Sequence, residues 1–175
     1  MMTFDPAVKE VMTWRRSRFF RSEYELQVKQ QLVAFFRRTG FFNWQAEIYE
    51  GEERNVPVLE YRRSGVFHQK VSVKPLDYRF SQVSKPIPVS LRGELWLELD
   101  NGRTYHFRPT NFWQTRWALT DEREQECLTF QRSSWGFGGK ITINNAELSQ
   151  DELLFLIYTT WCIVIMKMED QAAAS

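Results

Sequence analysis

The sequence predicts a mainly β protein, a closed antiparallel β-barrel of about 11–12 strands around a buried hydrophobic C-terminal α-helix. Between residues 23 and 144, short segments alternate apolar and polar residues, the pattern of strands with one buried face. The connections are short, which favours antiparallel pairing of consecutive strands. The last apolar run, LSQDELLFLIYTTWCIVIMKM at 148–168, is apolar on every face of a helix and must be buried on all sides.

The length and composition indicate one domain, residues 1–175, with no cofactor and no metal. A chain of 175 residues suits a single domain. The net charge of +1 favours no anionic partner in general, and without a recognition signature no nucleic acid is expected. Cys127 and Cys162 lack a metal or redox spacing. One disulfide stays open, but Cys162 suits the role of a small apolar residue. No signal-peptide pattern begins the chain, so a reducing cytoplasm is expected.

Residues 1–22 read as a leader before the barrel. It contains the run TWRRSRFFR, in which aromatic and basic residues are interleaved. One interpretation is a site for anionic lipid headgroups or a partner, formed by Trp14, Arg15, Arg16, Arg18 and Arg21. The alternative, which we favour, is that the aromatic residues pack on the barrel while the arginines face water.

The strands predicted for residues 23–144 begin with the alternation of 23–29 and end with KITIN at 140–144. In VFHQKVSVK, Phe67 falls on the apolar face together with Val71. YRFSQV at 78–83 continues the series, and KPIPVS at 85–90 reads as a longer loop. The clearest hairpin has Leu95, Leu97 and Leu99 on one face, followed by Asn-Gly at 101–102, a tight-turn pair.

The final run carries the signals of a helix over 149–168. Ser149 and Glu152 have capping-box spacing, and Leu148 with Leu153 can form a hydrophobic staple. Lys167 suits the negative end of the helix dipole in the last turn. The β-branched run 163–165 would suit a strand, but the cap and the length favour a helix.

The same run is too short for a transmembrane span. Its uncharged part has about 14 residues between Glu152 and Lys167, whereas spanning needs about 20. Closing the sheet around this helix removes every strand edge and buries the helix. The core-facing helix residues are then Leu153, Phe155, Leu156, Ile157, Trp161 and Val164.

The order of elements and the segment DELLFLIYTTWCIVIMKM resemble the tubby C-terminal-like superfamily, across roughly residues 20–168. That group includes tubby proteins, phospholipid scramblases and LURP-one-related proteins, and the size is closest to the last. The resemblance implies a helix threaded through the barrel, in a group where several members act at membranes or bind phosphoinositides. The sequence lacks an acidic calcium loop, a cysteine-rich acylation segment and a matching basic pair, so the resemblance implies the fold rather than a ligand site.

Two functional classes are expected from this reading, and catalysis is not one of them. The first is a non-catalytic binding module for an anionic phospholipid surface or a protein. The alternative is a lipocalin-like carrier of an apolar small molecule, which requires an empty barrel. An enzyme would need His68, His106 or Cys127 to meet in a cleft, and none of them lies in a nucleophile or metal motif.

Overall fold

The computed structural model describes residues 10–18, 22–40, 43–51, 55–80, 83–144 and 148–175. They form a closed antiparallel barrel with a C-terminal helix, as predicted. The strands are β1 (Val11–Arg16), β2 (Glu23–Val28), β3 (Gln31–Arg38), β4 (Gln45–Glu50), β5 (Leu59–Ser64), β6 (Gln69–Pro75), β7 (Ile87–Val89), β8 (Leu95–Glu98), β9 (Thr104–Pro109), β10 (Arg116–Thr120), β11 (Glu126–Arg132) and β12 (Gly138–Ile143). The helix α1 is Gln150–Ala174.

Every strand pairs with its neighbours in sequence, and β1 closes the barrel on β12, with Val11 opposite Thr142. Because the strands alternate in direction, successive connections lie at alternate ends of the barrel. One end, which we call the rim end, therefore carries every connection that follows an odd-numbered strand: β1–β2, β3–β4, β5–β6, β7–β8, β9–β10 and β11–β12. The C-terminal part of α1 emerges there, since Asp170 bonds to Arg63 near the end of β5. We call the other the opposite end.

The barrel begins at Val11 and not at residue 23, so much of the predicted leader is strand β1. Met12 and Trp14 point inward, while Thr13 and Arg15 point outward. This alternation is obscured in the sequence because Val11 is apolar although it is exposed, and because two arginines follow Trp14. Pairing with β2 and β12 decides its structure.

Two other segments differ from the prediction. The series 78–83 contains a 3₁₀ helix at Tyr78–Phe80 in place of a strand, and the segment 85–90 contains β7. β7 has only three residues, and Pro88 donates no backbone hydrogen bond, so its sequence resembles a loop. Phe67 lies before the start of β6 and is exposed, contrary to its predicted place on the buried face.

The helix fills the barrel. Every residue from Glu152 to Met168 is buried. Its contacts reach strands on different sides: Tyr61 of β5 bonds to Thr159 at 3.1 Å, Tyr105 of β9 bonds to Glu152 at 2.7 Å, and Phe36 of β3 packs edge-on against Trp161. The interior that a lipocalin-like carrier would need for its ligand is therefore occupied by this chain's own side chains.

Both ends of the helix differ in detail from the prediction. Ser149 accepts a hydrogen bond from the backbone N–H of Glu152, as in a capping box. The Glu152 carboxylate, however, bonds to Tyr105 and Arg103 on the barrel wall. The helix continues to residue 174 and not to 168, so Lys167 is not in its last turn. Lys167 is buried, and its Nζ donates to Gln69 Oε1 at 2.8 Å.

Strand alternation in CLTFQR at 127–132 predicts an outward Cys127, opposite the face of Leu128 and Phe130. The residue is instead buried, because a β-bulge changes its direction. Leu128 pairs with Leu119 and Glu126 with Thr120, which leaves Cys127 as the extra residue between them. Burial raises the pKa of its thiol to about 11. Both cysteines are free, so no disulfide joins them.

Candidate functional site

The rim end carries an unusual set of exposed apolar side chains on four of its loops. Each of these side chains is between 74% and 90% exposed. They are Val66 and Phe67 in the β5–β6 loop, Leu91 in β7–β8, Phe112 and Trp113 in β9–β10, and Trp135 in β11–β12. We call these six side chains the apolar rim. Large apolar side chains are usually buried, so six of them exposed on loops that share one end of the barrel point to an interaction.

The rim loops hold their tips outward by internal hydrogen bonds. In the β9–β10 loop, Asn111 Oδ1 accepts from the backbone N–H of Thr115 at 3.0 Å and of Arg116 at 3.2 Å. This Asx-type closure leaves Phe112 and Trp113 at the apex, packed edge-on against each other. The tips are therefore displayed by ordered turns.

Glycine makes two of the other turns possible. Gly65 has a φ of +81°, and a Cβ there would lie 2.2 Å from the carbonyl oxygen of His68. Gly93 has a φ of +84° and packs against the stem of Lys167. In that turn, Ser90 Oγ accepts from the backbone N–H of Glu94 at 2.9 Å. The loops that carry Phe67 and Leu91 are thus fixed close to the barrel wall.

The end of α1 ties the strands at this end together. Glu169 accepts from Trp44 Nε1 at 3.1 Å, and Asp170 forms a two-point contact with Arg63 at 2.7 and 3.0 Å. Gln171 accepts from Arg132 and donates to Gln114 in the β9–β10 loop. The helix end therefore serves as a polar anchor for the loops around it.

Exposed basic side chains also lie at the rim end, within or beside its loops. Arg18, Lys70, Arg92, Arg108 and Arg116 are exposed, and none forms an ion pair with another described residue. The pattern of apolar tip and basic flank recurs in the sequence of the β1–β2 and β3–β4 connections, as RFFR at 18–21 and RRTGFF at 37–42. Phe19, Phe20, Phe41 and Phe42 lie outside the described residues.

The opposite end has the contrary charge. The segment 121–126 contains Asp121, Glu122, Glu124 and Glu126 against the single cation Arg123. The first turn of α1 adds Asp151 and Glu152 at the same end. The overall charge of +1 therefore conceals a separation of positive and negative charge along the barrel axis.

The predicted site residues are only partly brought together. Trp14 is 2% exposed and packs inside the barrel beside Phe130, so it cannot serve as a surface contact. Arg15 faces outward and pairs with Glu25 at 3.0 Å, and the Arg16 guanidinium lies 4.4 Å from the Phe137 ring centroid. Arg18 is exposed at the rim end. Arg21 lies outside the described residues.

The sequence does not predict the apolar rim as one surface, because Phe67 falls on a predicted buried face while PTNFWQ at 109–114 and WGFGG at 135–139 read as a loop and a turn. A signal was present in the sequence. Aromatic residues sit inside turn-forming segments such as PTNFWQ and SSWGFGG, where polar residues are expected. An aromatic residue in a predicted turn has no strand face to bury it, so it indicates a surface contact.

The residues considered for catalysis do not assemble. His68 is exposed in the β5–β6 loop. His106 stacks on Trp96 with ring centroids 4.0 Å apart, and its Nε2 lies 2.8 Å from Glu94 Oε1, on the outer wall. Cys127 is buried near the opposite end. The described residues contain no group of three or more His, Cys, Asp or Glu side chains arranged to hold a metal ion.

Comparisons with known proteins returned no matching family model, no similar curated protein and no similar solved structure. Among the described residues, no helix has both the length and the hydropathy needed to cross a membrane.

Proposed function

We propose that this protein is a non-catalytic module that attaches peripherally to an anionic membrane surface through its rim end. The observation that carries the proposal is the apolar rim, six exposed apolar side chains on four loops at one end of the barrel. Phe and Trp side chains favour the interfacial region of a bilayer, where their rings leave water. The flanking lysine and arginines suit the negative potential of anionic headgroups.

A bilayer fits this surface better than a folded protein partner does. The rim side chains stand on separate loops, and each keeps most of its surface exposed, so they do not form one continuous apolar face. A protein interface has a well-packed apolar core with a polar rim. A bilayer accepts separate tips independently, provided that they lie at a common height. Loops at one end of a barrel point in the same general direction, so they can reach one bilayer surface together.

The energetics require several loops to act together. Burying one Phe- or Leu-sized side chain contributes about 1.5–3 kcal/mol. A lysine or arginine beside an anionic leaflet contributes about 1 kcal/mol. One tip with one cation therefore gives no more than about 4 kcal/mol, which corresponds to a Kd of about 1 mM. Useful affinity arises only when several rim loops engage the same surface.

Vesicle co-sedimentation tests the proposal. The wild-type protein should bind vesicles of phosphatidylcholine with phosphatidylserine, and binding should fall as salt rises. The double variant W113A/W135A should bind at least tenfold more weakly. The matched control is Tyr78→Ala, because Tyr78 is 89% exposed at the opposite end. Equal binding by the control and the double variant would refute the membrane assignment of the rim.

Charge-reversal variants at the two ends of the barrel test whether binding requires the positive charge at the rim end. Arg92→Glu and Arg116→Glu, at the rim end, should each weaken binding to anionic vesicles severalfold. Lys85→Glu makes the same charge change in the connection before β7, at the opposite end, and should leave binding almost unchanged. If wild type ignores vesicles of every composition but a protein complex is lost in W113A/W135A, the rim binds a protein and the membrane proposal is wrong.

The proposal also agrees with the tubby-like resemblance, which we retain as a proposal. A barrel of twelve strands around a helix has the architecture that this resemblance implies. The surface argued for above depends on the exposed residues of this chain alone.

A further inference from the structure

A polar pocket of about 340 Å³ opens on the outer wall of the barrel beside the loop that carries Trp135. Its lining comes from β1, β11, β12 and the β11–β12 loop, and includes Thr13, Gln131, Arg132, Ser133, Ser134 and Lys140. Arg132 already donates to Gln171 at 3.0 Å. None of the described carboxylates lines the pocket. All of these side chains can donate a hydrogen bond, so the pocket has the composition of an anion site.

The register of the sheet brings the donors together. Lys140 of β12 lies directly opposite Gln131 of β11 on one side and Thr13 of β1 on the other. Residues directly opposite in a sheet have Cβ atoms about 4.5–5.5 Å apart, so three donors from three strands form one row. Ser133 and Ser134 close the row toward the rim end, immediately before Trp135 in the chain.

These donors are not used by the fold. Within the described residues, the side chains of Thr13, Gln131, Ser133, Ser134 and Lys140 form no hydrogen bond or ion pair. By contrast, the buried Lys167 bonds to Gln69, and Arg15, the outward cation nearest to Thr13 on β1, is paired with Glu25. A row of free donors around one unpaired ammonium group is poised for an external acceptor.

We propose that this pocket binds a phosphate-type oxyanion. A phosphate monoester offers three acceptor oxygens and a charge of about −1.5 to −2, which several donors around one lysine can satisfy at once. Lys140 supplies the charge, and the hydroxyls and the Gln131 amide supply direction. The inference rests on the proposed function in one respect: with the Trp135 tip in a membrane, the pocket lies on the headgroup side, where lipid phosphates occur.

The test separates a lipid headgroup from free phosphate. Wild type and Lys140→Ala are compared on phosphatidylcholine vesicles containing either phosphatidic acid or phosphatidylserine, matched for surface charge. The control Lys85→Ala removes one exposed cation far from the pocket. Lys140→Ala should bind phosphatidic acid vesicles about tenfold more weakly than wild type, the loss of one charged hydrogen bond. On phosphatidylserine vesicles Lys140→Ala should lose only the severalfold affinity that any exposed cation on the headgroup side contributes.

In a second arm, inorganic phosphate is titrated into the lipid-free protein and amide NMR shifts are followed. Shifts at Thr13, Gln131 and Lys140 that vanish in Lys140→Ala support the pocket. If these shifts occur but no vesicle is bound, the oxyanion site stands and the membrane function falls. If vesicles are bound through the rim, but Lys140→Ala behaves like Lys85→Ala in both arms, the pocket proposal is overturned. Binding in neither arm overturns both.

Discussion

Replacing Trp161 tests whether the helix completes the core. Its side chain is fully buried on α1, and its ring centroid lies 5.9 Å from that of Phe36. Truncating a buried tryptophan to alanine costs about 3–5 kcal/mol. A chain of this size loses about 2–4 °C in Tm per kcal/mol, so Trp161→Ala should lower Tm by about 6–20 °C. A domain has only about 5–15 kcal/mol of stability, so this variant should be near its limit.

A second substitution at the same position, Trp161→Phe, tests the contribution of the indole N–H separately from that of the ring. The indole N–H of Trp161 is buried without a hydrogen-bond partner among the described residues. Such a group costs about 1–3 kcal/mol, so Trp161→Phe removes a penalty while it gives up part of the ring. We expect its stability to stay within about 1 kcal/mol of wild type. An aspartate there, or at Ile157, should abolish folding, because an unpaired charge would be buried.

Urea unfolding followed by circular dichroism measures both changes, because the signal does not depend on the tryptophan removed. The free energy of unfolding of Trp161→Phe should be close to that of wild type, and that of Trp161→Ala should be far lower. A Trp161→Ala variant as stable as wild type, or a soluble Ile157→Asp variant that melts cooperatively, would show that the helix is peripheral. A Trp161→Phe variant as unstable as Trp161→Ala would contradict the argument from the unpaired N–H.

Three further predictions concern the barrel wall. Gln30→Gly should raise the free energy of unfolding by about 0.5–1 kcal/mol in urea, because Gln30 has a φ of +69° in a two-residue turn that favours glycine. Gly139→Ala should lower it by about 3 kcal/mol, since a Cβ there would lie 2.3 Å from both the Gln131 carbonyl oxygen and the Trp14 ring; unchanged stability would contradict this packing. The pKa of the buried Cys127 thiol is raised to about 11, so the neutral thiol stabilises the folded state fully below about pH 9, and this contribution is lost as the pH rises toward 11. Cys127→Ala should therefore show a smaller fall in Tm at alkaline pH than wild type.

The fold was largely predictable because the two strongest patterns in the sequence are also the ones that determine it. The alternation of Leu95, Leu97 and Leu99 predicts a one-faced strand, and all three side chains are buried. The wholly apolar helix required an enclosure, and the barrel supplies it. β1 escaped prediction because its two inward residues, Met12 and Trp14, are too few to show a period. Its place is fixed by pairing with β2 and with the distant β12.

The candidate site was less predictable because it depends on which loops share an end. No local pattern connects Phe67 with Trp135. They come to share one end only when the strands close into an up-and-down barrel and every second connection returns to the same end. The predicted basic-aromatic site therefore differs from the apolar rim, because Trp14 belongs to the core and the exposed apolar residues lie on other loops. The separation of positive and negative charge along the barrel axis was also hidden, because the net charge of +1 does not show which charged residues share an end.

The position of the helix after the last strand has a consequence for how the chain acquires its structure. During synthesis, the strands emerge before the segment that fills the space between them. Val11 and Thr142, which close the barrel, are among the most distant pairs in the sequence, and pairing over such separation is slow. Until α1 arrives, the inward faces of β1 to β12 have nothing apolar to cover them. The nascent chain is therefore exposed to aggregation until α1 has emerged, and its yield in a cell should depend on chaperones that shield open sheets.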